Sequence, residues 1–206
     1  MTLEKDCVDY VWKCHKCQVY IDKINAPPLP LFNLTSPWPF IMWGIDVIGW
    51  INPKASNDHR FILVAIDYFT KWVEAGSFAH VTQKVVKKFI KGDLICRYGP
   101  LEKIIIDNAH NFNCKMIIEL CARWKIKHSN SSPYKPKMNG VVEASNKNVK
   151  KIIQKMVVTY KDWHEMSPFS LHAYRTAVRT STGATPYTLV YGMEVVMPLE
   201  VETDRL

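Results

Sequence analysis

Near residue 82 the apolar pattern of this chain changes its repeat, and that change decides which folds remain open to it. Before it, three runs rich in β-branched and aromatic residues, 41–50, 60–68 and 72–78, are divided by Asn52-Pro53, by Ser56-Asn57-Asp58 and by a short turn around Phe69-Thr70. Such runs, bounded by turn formers, predict a meander of three strands. From 82 onward Val85, Val86, Phe89, Ile90 and Leu94 recur at helical spacing, with Thr82 as N-cap and Gly99-Pro100 as the stop. A strand over 103–106 follows, then a helix over 112–124 with Met116, Ile117, Leu120, Cys121 and Trp124 on one face, then a brief strand over 125–128. Residues 129–139, rich in Ser, Asn and Pro, read as a loop. A helix over 140–159 turns Ser145, Val149, Ile152, Ile153 and Met156 inward, and Ser167-Pro168 supplies the N-cap and first-turn proline of a last helix ending near Val178. Three strands followed by alternating helices and strands give an α/β protein whose mixed sheet is covered by helices.

A hydrophobic content of 48% over 206 residues lets one medium-sized domain bury a core. Residues 1–25 are polar and contain cysteine, and Pro27, Pro28, Pro30, Pro37 and Pro39 make 26–39 an extended linker. No apolar run approaches the roughly 18 residues of a membrane span. Glu4, Lys5 and Asp6 stand where a secretory segment would be apolar, so the chain reads as soluble and intracellular, with no membrane partner. Six cysteines at irregular spacing then read as reduced thiols. The net charge of +8 invites a polyanionic partner, because each lysine or arginine set against a phosphate releases condensed counterions.

Three carboxylates stand out. Asp107 follows the apolar run Ile104-Ile105-Ile106, at the point where a strand gives way to a loop. Glu143 opens a helix 35 residues further on, counting 108 through 142, and Asp46 lies inside Trp43-Gly44-Ile45-Asp46-Val47-Ile48. Carboxylates gathered from two strands and a helix could hold two divalent cations, the arrangement that phosphodiester chemistry favours. The plainer alternative is an Asp capping a turn and a Glu favourably placed at a helix N-terminus. Asp67 also follows an apolar strand and is a decoy beside Asp46, which is favoured as the ligand because its Trp-x-x-Asp context resembles a known family's motif.

The run Trp43-Gly44-Ile45-Asp46, the pair Asp107-Asn108 and Ser132-Pro133-Tyr134-Lys135-Pro136-Lys137-Met138-Asn139-Gly140-Val141-Val142-Glu143 resemble the catalytic core of gypsy-type LTR retrotransposon integrases, relatives of retroviral integrase. The likeness extends through His59-Arg60-Phe61-Ile62-Leu63-Val64-Ala65-Ile66-Asp67-Tyr68-Phe69-Thr70-Lys71-Trp72-Val73-Glu74-Ala75 and Thr182-Gly183-Ala184-Thr185-Pro186-Tyr187. It implies a ribonuclease H-like fold, a mixed five-stranded sheet flanked by helices, with the catalytic core over 40–180 and a C-terminal extension over 181–206. It further implies 3′-end processing and strand transfer of retrotransposon DNA in the nucleus, by a homo-oligomer, with two Mg²⁺ or Mn²⁺ ions on Asp46, Asp107 and Glu143. Cellular ribonucleases H fit less well, since they add a helix carboxylate after the third strand, where this chain offers Asp93 after Lys84, Lys87, Lys88 and Lys91.

Lys147 and Lys150 stand four and seven residues beyond Glu143, on the same helical face. The resemblance makes them anchors for DNA ends, with Asn108, Tyr134, Lys137 and Asn139 as further DNA contacts. Cys14-His15-Lys16-Cys17 is half of a tetrahedral zinc site, Cys14 and Cys17, whose two upstream histidines are missing. Residues 1–25 therefore read as a truncated remnant of a His-His-Cys-Cys domain that does not hold zinc. The family usually has Thr-Asp-Asn-Gly where this chain has Ile106-Asp107-Asn108-Ala109, and Gln where it has Lys137. These departures support an alternative, a catalytically inactive element fragment that binds nucleic acid or self-associates.

Overall fold

The apolar run Phe61–Asp67 forms β2, buried along nearly its whole length, and the other strands assemble around it in this computed structural model, which describes residues 3–14, 36–106, 112–130, 151 and 162–195. β1 (Met42–Ile48) and β3 (Val73–Phe78) pair with β2 antiparallel, so the expected meander forms. β4 (Lys103–Ile106) then adds parallel to β1, and β5 (Lys127–Asn130) adds parallel to β4. The order is β3-β2-β1-β4-β5, a five-stranded mixed sheet with β1 at its centre.

Alternate residues of β1 and β2 enter different cores. Trp43, Ile45, Leu63, Ala65, Ile104 and Ile106 join one cluster with Val86, Phe89, Ile90, Leu94, Ile117 and Leu120. Ile48, Ile62, Val64, Ile66 and Val73 join a second cluster with Trp163 and Tyr174. Helices therefore cover both faces, as parallel pairing requires.

Helix α2 (Gln83–Phe89) starts as expected, with Thr82 accepting from Val85 N–H at 3.4 Å. It then widens into a π-helical stretch, Ile90–Ile95, where Cys96 N–H reaches back five residues to Lys91. The wider turn brings Ile90, Leu94 and Ile95 to the core together. A last turn, Cys96–Tyr98, ends at Gly99 with φ 87°.

Three boundaries differ from the sequence reading. Helix α3 (Lys115–Arg123) closes through a left-handed Lys125 (φ 56°), so the last strand begins at 127 instead of 125. Trp124 falls on that closing turn and is exposed, whereas Met116, Ile117, Leu120 and Cys121 pack inward. Helix α4 (Trp163–Thr176) begins four residues before Ser167 and carries Pro168 inside it. An interior proline costs about 3 kcal/mol. Burying an aromatic side chain of ~150–250 Å² contributes about 4–6 kcal/mol, and Trp163 is wholly buried. The helix starts where its tryptophan can be covered.

The segment Thr182–Tyr187 is a tight return: Gly183 has φ 68°, Arg179 bridges Ala184, and Thr185 caps helix α5 (Pro186–Tyr191) by accepting from Thr188 N–H at 3.0 Å. Tyr187 and Val190 pack on the first core cluster. By its contacts the chain divides into two compact units, Met1–Leu31 and Phe32–Leu206. The first contains α1 (Leu3–Lys13), which ends at Cys14.

Candidate functional site

Asp46 is the fifth residue of the central strand and is half-buried. In the ladder it stands opposite Val64, whose side chain belongs to the second cluster, while its neighbour Ile45 belongs to the first. The Asp46 carboxylate therefore emerges on the face that α4 helps to cover. Its Oδ1 accepts from Val47 N–H at 2.8 Å. A carboxylate held this far into a sheet loses water that must be replaced by donors or by a cation.

The parallel ladder from β4 runs up to this point. Gly44 pairs with Ile105 and Ile45 with Ile106, the last described residue before Asp107. Asp107, Asn108, Tyr134, Lys137, Asn139, Glu143, Lys147 and Lys150 lie outside the described residues, as does Cys17. Of the three expected carboxylate ligands, Asp46 alone is described. Among the described residues no three His, Cys, Asp or Glu side chains gather closely enough to hold a metal ion. Cys14 is half-buried, its backbone N–H donating to Tyr10 at 2.9 Å.

Asp67 is no rival to Asp46. It pairs with Trp43, three residues back along β1, about 10 Å from Asp46 and on the opposite face. Its carboxylate is wholly buried and occupied: Oδ1 accepts from Phe40 N–H at 3.0 Å, and Oδ2 from Thr70 N–H at 2.8 Å and the Thr70 hydroxyl at 2.7 Å. Burial pushes this carboxyl above its ordinary pKa, against the pull of those donors and of Lys71. Lys71 is itself buried, which lowers its pKa, and its Nζ donates to the Tyr68 carbonyl at 2.8 Å. Asp67 ties the β2–β3 turn to the start of β1.

A second buried acid had no role assigned from the sequence. Glu74, on edge strand β3, is almost fully buried and receives four side chains. Arg175 Nη2 lies 3.0 Å from Oε1 and Arg97 Nη1 3.2 Å from Oε2; Trp72 Nε1 donates at 3.0 Å and the Tyr98 hydroxyl donates to Oε1. Arg175 also donates to the Val73 carbonyl at 3.1 and 2.7 Å, and its guanidinium sits 4.2 Å above the Trp72 ring. Burial, then the Glu74 carboxylate, push the Tyr98 hydroxyl well above its usual pKa. This network fastens α4 to the sheet edge. Its only sequence signal is an acid in a strand that is otherwise apolar at that end, and nothing local names its partners.

At the other end of β3, where Ser77 pairs with Ile62, His59 Nδ1 lies 2.8 Å from Ser77 Oγ and its ring 6.2 Å from that of His164. Burial, then the charge of His164, hold His59 below its ordinary pKa.

Comparison with known proteins gives a consistent picture. The integrase core domain family matches residues 37–136. The Gag-Pol polyprotein of avian reticuloendotheliosis virus is 30% identical over 165 residues, 80% of this chain and 14% of that protein. Gypsy retrotransposon integrase-like protein 1 of Bos taurus is 27% identical over 199 residues, 96% of this chain and 39% of that protein. The chain thus spans well under half the length of these relatives. Among solved structures, the catalytic core domain of BIV integrase superposes with a TM-score of 0.58 at 25% identity, covering 81% of this chain and 98% of that one.

Proposed function

The chain carries a retroviral-type integrase catalytic core on a ribonuclease H-like sheet, matched over residues 37–136, and on that premise we propose that it is a metal-dependent DNA strand-transferase core of a retrotransposon. It would process transposon 3′ ends and join them to target DNA, acting in the nucleus as a homo-oligomer.

The observation that carries this reading is the placement of Asp46. It is a half-buried carboxylate on the central strand, and the ladder beside it pairs Gly44 with Ile105 and Ile45 with Ile106. Carried on by one residue, that register would set Asp107 beside Asp46, and strand alternation would turn both carboxylates to one face. Glu143 would complete the set. Hard carboxylate oxygens suit Mg²⁺ or Mn²⁺, which keep waters and use substrate phosphates to fill their shells. Bound there, two ions would activate the attacking hydroxyl or water and stabilise the leaving oxygen.

The protein's own part is to fix these oxygens and to hold the DNA. Asp46 pairs with Val64 of β2, and the residue before it, Ile45, pairs with Ile106 of β4, so its backbone position is set by the sheet. Lys147 and Lys150, four and seven residues beyond Glu143 in the sequence, would anchor phosphates, and Asn108, Tyr134, Lys137 and Asn139 would orient the strand end.

The inactive-fragment reading has one observation in its favour. Ile106, where the family usually has Thr, is fully buried in the first core cluster, so a hydroxyl beside the second acid has been exchanged for core packing. A disintegration assay with Mg²⁺ or Mn²⁺ separates the two. Product from the wild type that is lost in Asp46→Asn and Glu143→Gln supports strand transfer; no product from folded, DNA-binding protein overturns it.

A further inference from the structure

Lys84, Lys87, Lys88 and Lys91 are all exposed along α2 and the start of the π-helical stretch, while Val86, Phe89 and Ile90 between them are buried. Their spacing of three, four and seven residues lays them along one outer face. None of the four pairs with a carboxylate among the described residues, and the one acid of this segment, Asp93, is held by Arg97 at 3.1 Å. Three described lysines elsewhere do meet a carboxylate: Lys54 meets Asp58, Lys115 meets Glu119 and Lys127 meets Glu102. Four unneutralised cations on one short face repel one another, and a polyanion would relieve that.

The C-terminal end of the stripe is also bare. Gly92 is exposed, its φ lies outside the left-handed region, and a Cβ built on it would meet nothing within 4 Å. Neither packing nor backbone conformation calls for glycine there, yet it weakens a helical segment. A bare backbone beside four lysines leaves room for a bulky anion to approach closely.

We propose that Lys84, Lys87, Lys88 and Lys91 form a track for the phosphate backbone of duplex DNA, read without regard to sequence. The helix that bears them covers the first core cluster, whereas Asp46 faces the second. The track is therefore separate from the proposed catalytic face and does not rest on the strand-transfer reading. Seven residues of helix span about 10 Å, over which one strand of duplex presents about three phosphates.

The test is the salt dependence of binding of the full chain to a duplex of arbitrary sequence, measured in chelator so that no metal chemistry contributes. Neutralising about three phosphates contributes ~2.7 to the slope of log K against log salt, or about 40-fold in affinity between 50 and 200 mM salt. Lys84→Gln, Lys87→Gln, Lys88→Gln and Lys91→Gln combined should lose that part of the slope and keep the wild-type circular dichroism and melting temperature. The pair Lys84→Gln and Lys91→Gln should lose about half of it. A variant matched in charge, Lys54→Gln, Lys115→Gln, Lys125→Gln and Lys127→Gln, should keep the wild-type slope. Equal losses in the two fourfold variants would reduce the effect to net charge and overturn the track. So would an unchanged slope in the first, or lysine-dependent binding to phosphatidylserine vesicles with duplex binding intact. Failure of the disintegration assay would leave this measurement untouched.

Discussion

Replacing Glu74 with Gln keeps an oxygen for Trp72 Nε1 and the Tyr98 hydroxyl but removes the charge that two arginines share. The two arginines should not count equally. The Arg97 side chain is 55% exposed, so solvent screens it and its share is about 0–1 kcal/mol. Arg175 is 21% exposed, and Glu74 is 9% exposed; breaking a buried pair costs ~3–5 kcal/mol, less here because the amide oxygen still accepts and Arg175 keeps the Val73 carbonyl. The expected loss for Glu74→Gln is about 2–4 kcal/mol, or roughly 4–16 °C in melting temperature for a chain of this size. Urea unfolding should show it, with a double-mutant cycle for each arginine. Coupling of Glu74 to Arg175 should exceed its coupling to Arg97 by at least ~1 kcal/mol. A loss under ~0.5 kcal/mol, or stronger coupling to Arg97, would refute the view that burial, not the number of cations, sets the strength of this clasp.

Two further outcomes follow from the geometry. A Cβ at Gly49 would lie 2.2 Å from Phe61 Cδ1, so Gly49→Ala should cost ~1–3 kcal/mol by overpacking, whereas Gly92→Ala, with open space, should gain up to ~1 kcal/mol in thermal unfolding. The folded-state pKa of His59 is depressed below its ordinary 6.5, so the unfolded chain binds more protons just below that pH. Stability should therefore fall as pH drops through 6.5 toward the folded value, and His59→Gln should flatten that slope in urea titrations across the window. A slope unchanged by the substitution would assign it to other groups.

Much of the sheet was legible in the sequence because its strands are runs that local chemistry marks. Ile104-Ile105-Ile106 and Phe61–Asp67 have little choice but to be buried strands, and Thr82 caps α2 as its hydroxyl suggests. The misplaced boundaries have two causes. Pro168 reads as a helix start by its missing N–H, but the burial of Trp163, a tertiary gain, outweighs that local preference. Lys125 takes a left-handed turn that no residue type announced, and β5 shifts by two residues. Asp67 and Asp46 look alike in sequence, each an acid in an apolar run. Strand alternation and register put them on opposite faces, with Asp67 consumed by Thr70 and Phe40.

The sequence by itself determined the class of fold, the order of its elements and the acids that resemble a metal-binding set, because periodicity, capping and motif spacing are local and are written along the chain. Tertiary structure alone decided which face Asp46 occupies, that Asp67 is an internal tie, and that Glu74 meets Arg175. Arg175 bonds a carbonyl 102 residues away, and no pattern along the chain encodes that distance. Such contacts exist only once both faces of the sheet are covered, when desolvation makes each buried charge seek a partner wherever in the sequence it lies.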